Sequence, residues 1–579
     1  MRHIPIRSAL CSALSLALLT STQVHAQDGA AGAKSEPADL DKIVVTGSRI
    51  ARAQVEGPTP VTVITSDDIK KEGFVTVYDV LSTLTEATGG VESDAGWGSH
   101  TSNASPLNLR NMGPGRSLLL INGHRAADYP LPYQGRSNFQ NFTNIPSAAV
   151  DRIEVLASGA SAIYGSDAIA GVINVVLKQG YVGDEFRIKG GGATEGGRRL
   201  IDTSWAGGRA GDKWSLTYAL QYLKRDPLFA GERDFLDSEN DAAWGAWSEE
   251  ERAKGNRFNN YYDTARISRL DGSDLRISPP PGTCESPGYG GVAERWDYRK
   301  YDSATHTLGP SLGQYCANGK FPHNWTIRDG EESTSLYLYG TYDFSDRLQG
   351  WASFMAFDSE GTSSVGDFGM GYVPPVKWYD AGLGSYVEGK RFLTRTEIGD
   401  ALTYSNERSY DYAFGLKGRL FDRFDWEASV DHAEYVVKKS YPAAVPALVN
   451  AFFLGPQLGV TDASYAGVPV GTPIHSVDVN RFFTPISRQE WESISTHGKD
   501  EARSKVDQFQ VVFSGDLFEG WAGPISFAAV GEWARQSYSL RPDPRTVPTP
   551  EQAAAREQRG VENLYVTEFG SPYYGFDLG

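Results

Sequence analysis

From residue 184 onward, apolar and polar side chains alternate with a period of two in runs of roughly ten residues. The clearest pair sets Tyr410, Tyr412, Phe414, Leu416, Gly418 and Leu420 against Trp426, Ala428, Val430 and His432. Asp411, Lys417, Arg419, Asp425, Glu427 and Asp431 occupy the positions between. Residues 184–191, 200–207 and 213–223 alternate in the same way. So do 336–344 and 348–357, which flank the tight turn Ser345-Asp346-Arg347, and the pair 508–517 and 525–538. A soluble β-sandwich also alternates, but with shorter strands and an apolar interior. Here one face is apolar and the other charged, which predicts antiparallel transmembrane barrel strands with lipid outside and a water-filled or plug-filled lumen. The connections alternate between short and long, and 225–329 and 441–501 are predicted to be large surface loops.

The chain before residue 179 has another texture. Ile153-Glu154-Val155-Leu156 is a short apolar run that stops at Ser158-Gly159. Tyr164-Gly165-Ser166-Asp167 is turn chemistry, and Val172 to Leu177 is a second, β-branched run. Upstream, 59–64 reads as a strand and Ser66-Asp67-Asp68-Ile69 as a capped helix start. Val77, Val80, Leu81 and Leu84 recur at helical spacing. Residues 107–113 and 117–123 read as strand, Gly-rich turn and strand, ending on the turn dipeptide Asn122-Gly123. An α+β domain is therefore expected over 58–178, followed by the barrel region over 179–579. Two polar, aromatic-studded segments, 91–106 and 126–138, are expected as loops at the domain's tip. There Trp97, His100, Tyr129, Tyr133 and Gln134 either face a polar ligand or are simply solvated.

The N-terminus bears on where the chain resides. Residues 1–26 read as a secretory signal peptide: Arg2 and Arg7, a short apolar core over 9–19, and the small-residue site Val24-His25-Ala26. Residues 27–57 form a polar arm with one β-forming run, Ile43-Val44-Val45-Thr46. Such a run is either an edge strand of the next domain or a strand that adds to a partner's sheet. No later segment has the apolar length of a transmembrane helix, so a second membrane crossing requires a closed barrel.

Composition narrows the chemistry. Tyr (29) and Trp (13) are plentiful and Met (4) scarce, which favours strands and aromatic girdles over packed helices. A net charge of −17 argues against nucleic-acid binding. Gly113-Pro114-Gly115-Arg116-Ser117 lacks the lysine and helix of a phosphate loop, and Gly288-Tyr289-Gly290-Gly291 follows no strand. There is no Gly-x-Ser-x-Gly, His-Glu-x-x-His or Cys-x-x-Cys, and the histidines at 306, 323, 475 and 497 are scattered singly. Neither catalysis, a metal nor a cofactor is expected. In an exported chain, Cys284 and Cys316 are expected to close one loop as a disulfide.

Two stretches carry a family resemblance. IEVLASGASAIYGSDAIAGVINVVLK (153–178) and LNLRNMGPGRSLLLINGHR (107–125) resemble the plug domain of TonB-dependent outer-membrane receptors, with Ala160 where many members have proline. The resemblance implies a bacterial outer-membrane transporter: an α+β plug inside an antiparallel barrel, importing a siderophore, cobalamin, saccharide or peptide. It places Ile43, Val44, Val45 and Thr46 as the TonB box and leaves no room for a periplasmic signalling domain. It further implies that Arg110, Arg116, Arg152 and Glu154 lie buried and pair across the plug–barrel contact, either as a fixed lock or as one that loosens under TonB's pull. A non-transporting surface or adhesion receptor on the same scaffold is the competing class. Members have about 22 strands, whereas roughly nine or ten are legible here. The chain ends at Tyr574-Gly575-Phe576-Asp577-Leu578-Gly579 without an aromatic-tipped strand, so a partial barrel is expected.

Overall fold

The computed structural model describes residues 61–237 and 262–550, except 89–100, 102, 134–136, 157–160, 303–304, 306, 319, 321–322, 324, 365–367, 371–375, 466–467, 522 and 548–549. The signal peptide, the arm with Ile43-Val44-Val45-Thr46, and Trp97, His100 and Gln134 lie outside the described residues.

The first body is a small mixed sheet with short helices. Strand β1 (Thr62–Thr65) leads into helix α1 (Ser66–Glu72), which is capped at Thr65 through a reciprocal box with Asp68. Thr76 and Asp79 cap α2 (Val77–Leu81) in the same way, and Val77, Val80 and Leu81 are buried. Strands β2 (Ser117–Ile121) and β3 (His124–Arg125) form a hairpin around Asn122 (φ 51) and Gly123 (φ 86). Positive φ at both turn positions is what Asn-Gly supplies cheaply. After the hairpin β4 (Tyr129–Tyr133) and β5 (Ser137–Phe139) come β6 (Val150–Leu156), α3 (Ser161–Tyr164) and β7 (Gly171–Leu177). The sheet order is β1-β6-β7-β2-β3, with only β2 and β7 parallel. At Gly115 (φ +78) a Cβ would fall 1.8 Å from the Asn138 carbonyl oxygen, so the turn before β2 accepts only glycine.

The second body is a nine-stranded antiparallel sheet, the wall. Its strands are β8 (Gly183–Gly191), β9 (Leu200–Ala210), β10 (Trp214–Arg225), β11 (Gly330–Ser345), β12 (Leu348–Ser363), β13 (Thr403–Leu420), β14 (Phe424–Ala444), β15 (Ser495–Gly520) and β16 (Gly523–Arg541). Each pairs with the next in sequence. Tyr412 stands opposite His432, Phe414 opposite Val430 and Leu416 opposite Ala428, the register that the alternation predicts. Phe414, Leu416, Val430, Phe509 and Trp533 are exposed on one face. Ala413, Ala433, Val437 and Val506 are buried on the other, against the small sheet. The later strands run to 16–26 residues rather than about ten. Among the described residues, edge strands β8 and β16 are not paired with each other.

The described parts of the predicted loops are folded, together with a segment between β12 and β13. Eight strands drawn from 262–318, 368–393 and 459–475 make a third sheet, the cap. Helices α4 (Arg395–Ile398), α5 (Pro446–Leu454), α6 (Val479–Phe483) and α7 (Arg488–Ile494) pack with it around Trp378, Phe453, Phe482 and Trp491. Cys284 and Cys316 are joined by a disulfide in that core. Its strands pair across distant connections, Ala265 with Arg391 and Tyr379 with Ile474. No local sequence signal reports such pairing, because its stabilisation comes from burial that exists only once the segments meet.

Candidate functional site

The plug–wall contact is where polar chemistry concentrates. The hairpin β4–β5, expected as a ligand-facing loop, lies against the wall. Tyr129 has no exposed surface, stacks on Phe139 at 5.2 Å and meets Tyr435 of β14 edge-on at 5.4 Å. Its hydroxyl donates to Glu407 Oε1 of β13 at 3.0 Å. Tyr129 is thus not a ligand-stacking face. An apolar ring with one hydroxyl gains more by filling this seam than by staying in water. Tyr133 is half-buried at the edge of the same cluster.

Glu407 is the centre of that cluster. Asn103 Nδ2 donates to Oε1 at 3.3 Å and the Tyr435 hydroxyl to Oε2 at 2.5 Å. Two donors come from the plug and one from the wall. All are neutral, and among the described residues no cation pairs with Glu407. Asn141 extends the network by donating to Tyr435 at 3.0 Å and accepting from the Ser105 amide at 3.0 Å. The Asn103 amide donates to Asp329 at 3.1 Å.

A second cluster ties the plug to edge strand β16. The Tyr538 hydroxyl donates to Asp128 Oδ2, Gln140 donates to Oδ1 at 2.5 Å, and Ser504 donates to the Asp128 carbonyl. Burial pushes the Asp128 carboxyl above the usual range, against the pull of the Tyr538 and Gln140 hydrogen bonds. Arg125 joins Asp167 (2.8 Å) to Glu532 of β16 (3.2 Å), and its amide donates to Gln508 at 3.2 Å. At the opposite edge Lys70 of α1 pairs with Glu185 of β8 at 2.9 Å. The wall therefore grips the plug from edge to edge.

The residues expected to supply the ionic contact behave differently. Arg110 and Arg116 are exposed. Arg110 sits in a left-handed turn (φ 55) and Arg116 just before β2. Arg152 pairs with its own strand neighbours, Asp151 at 2.9 Å and Glu154 at 2.8 Å, and Asn174 of β7 also donates to Glu154 at 3.4 Å. These bonds brace the plug sheet internally, since residues two apart in a strand share one face. Arg125, Asp128 and Glu407 take the expected interfacial place. Only Glu407 carried a signal, strand parity: it shares the inward face with Asp411, four residues on.

Among the described residues, no group of three or more His, Cys, Asp or Glu converges on a metal position. No helix among them is long and apolar enough to cross a membrane, which leaves strand crossing open.

Residues 53–172 match the family model described as the TonB-dependent Receptor Plug Domain. Three similar solved structures are the siderophore receptor PiuA from Acinetobacter baumannii, FpvA from Pseudomonas aeruginosa and the ferric-catecholate import receptor Fiu from E. coli K12. Their identities are 12%, 11% and 12%, with TM-scores of 0.32, 0.36 and 0.31. The matches cover 84%, 86% and 84% of this chain, and 62%, 55% and 67% of those chains. Residues 53–172 are thus similar to the plug domain of the TonB-dependent receptors, and the described part of that segment is seated against the nine-stranded antiparallel wall.

Proposed function

We propose that this chain serves TonB-dependent uptake of a scarce or large ligand (a siderophore, cobalamin, saccharide or peptide) across the bacterial outer membrane. The observation that carries the reading is the plug seated on the polar inner face of a wall whose outer face exposes Phe414, Leu416, Val430, Phe509 and Trp533. Such a wall suits lipid outside and a plugged lumen within. In this reading the cap faces the exterior, residues 1–26 direct export, and the 27–57 arm reaches the periplasm. There Ile43-Val44-Val45-Thr46 adds a strand to TonB. The pull that follows parts the plug from the wall. The neutral hydrogen bonds around Glu407 suit that task, because water replaces each of them at little net cost. The chain does no chemistry on its ligand.

Deleting residues 41–49 tests the reading. Energised uptake is expected to fall to background while the protein still reaches the outer membrane. Uptake that survives the deletion overturns it. Adhesion or surface binding without any energised uptake, in the intact chain, establishes the non-transporting receptor instead.

A further inference from the structure

Between the plug and the wall lies a cavity of about 120 Å³, lined on the plug side by Asn122 and His124 and on the wall side by Asp411 and Asp431. Asp431 is 6% exposed, and neither carboxylate oxygen has a hydrogen-bond partner among the described residues. A buried carboxylate left bare is costly, and native proteins rarely tolerate one without a compensating group. Asp411 is its diagonal neighbour: Ala413 stands opposite Asp431 and Asp411 opposite Ala433 on the same inward face. Two like charges so placed repel rather than satisfy each other. Lys417 and Glu427, which also line the cavity, stand directly opposite one another across β13 and β14, so their charges offset. Neither aspartate faces a cation across the strands: Asp411 stands opposite Ala433 and Met355, and Asp431 opposite Ala413 and Gln508.

The space is built for something small. One water needs roughly 10–15 Å³ of such volume, so several fit, whereas a drug-sized ligand needs at least about 300 Å³. Carboxylate, amide and hydroxyl oxygens supply most of the polar lining, beside the nitrogens of Lys417, His124 and Trp351 and the Met355 thioether. Hard oxygen donors and retained waters suit a magnesium-type ion, which dehydrates reluctantly and is commonly held by one or two carboxylates. We propose that Asp411 and Asp431 hold a hydrated divalent cation that rivets the wall to the Asn122–His124 side of the plug. This site does not depend on the transport reading.

The full chain purified in detergent, stripped with chelator and titrated with Mn²⁺, tests the site by electron paramagnetic resonance of free Mn²⁺. One bound equivalent, displaced by Mg²⁺, is expected in the parent and is lost in Asp431→Asn. Asp411→Asn, on the neighbouring strand, is expected to lose it too and serves if the first variant fails to fold. Thermal unfolding is expected to shift upward with Mg²⁺ in the parent alone, at matched ionic strength. Equal Mn²⁺ binding in the parent and either folded variant overturns the site. So does the absence of bound Mn²⁺ in the parent.

Discussion

Glu397 in the cap and Glu407 in the wall are both buried, at 0% and 1% exposure, yet they are held by opposite means. Glu397 faces the fully buried Arg391 guanidinium and also accepts from the Ile486 amide at 2.9 Å and the Thr394 amide at 2.7 Å. Arg391 in turn lies over the rings of Tyr289 and Phe453 and donates to backbone carbonyls, that of Thr264 at 3.4 Å among them. One ion pair therefore joins segments from three separate connections. Among the described residues Glu407 has no cation and three neutral donors, drawn from two bodies. A buried ion pair is hard to part, because either charge left alone pays a large desolvation cost. Neutral hydrogen bonds to a carboxylate are exchanged for water far more readily. The difference separates a contact held by opposite charges from one held by neutral donors.

Breaking the cap pair is expected to have the largest effect. Glu397→Ala should cost about 3–5 kcal/mol of cap stability, read as faster hydrogen exchange over 385–398. A jointly apolar replacement, Arg391→Met with Glu397→Leu, should recover most of it. If the single variant costs under about 1 kcal/mol, the contrast with Glu407 fails. At the seam, removing both phenol donors (Tyr129→Phe with Tyr435→Phe) should cost about 1–3 kcal/mol, with exchange rising in β4 and β5 and not in the cap. Glu407→Gln, which removes the buried charge and keeps an acceptor, should cost less than that double change.

Acidity divides the two regions further. The Arg481 hydrogen bond, with the Ser487 amide behind it, holds Glu490 of α7 down at about 2 from an ordinary 4.5. A lowered folded value contributes stability that is full above pH 4.5 and is lost as pH falls toward 2. Asp128 is raised from 3.8, so its contribution is full below that value and is lost as pH rises through the folded value. Hydrogen exchange corrected for intrinsic rate should show 479–494 loosening between pH 4.5 and 2 while the contacts of Asp128 hold. The smallest effect belongs to Lys70→Ala. Its pair with Glu185 is partly exposed, and unfolding should move by no more than about 1 kcal/mol.

Much of the wall and plug was legible in the chain. The period of two between Tyr410 and His432 set both faces and the β13–β14 register, because a one-residue slip would turn Phe414 inward and Asp411 outward. Ser66-Asp67-Asp68-Ile69 marked a capped helix start and Asn122-Gly123 a turn through chemistry that acts within four residues, and the structure sets the cap itself one residue earlier, at Thr65. The interfacial residues were legible only as inward positions. Parity places Glu407 and Asp431 on the inner face but cannot say that Tyr129 donates to the first, or that nothing among the described residues donates to the second. Aromatic, polar composition marked 126–138 as a loop, whereas burial against β14 and β15 made it a hairpin.

Local pattern by itself determined what is periodic or short-ranged: the alternating strands, the capped helices, the turns and the plug motif. Tertiary structure alone decided what depends on residues far apart in the chain. The cap exists because 262–318, 368–393 and 459–475 bury one another's apolar faces. Arg110 and Arg116 stayed exposed while Arg125 reached Glu532, a choice set by where each lies in the fold. A buried carboxylate is stabilised only by partners already in place, and two of those around Glu407, Asn103 and Tyr129, lie hundreds of residues away.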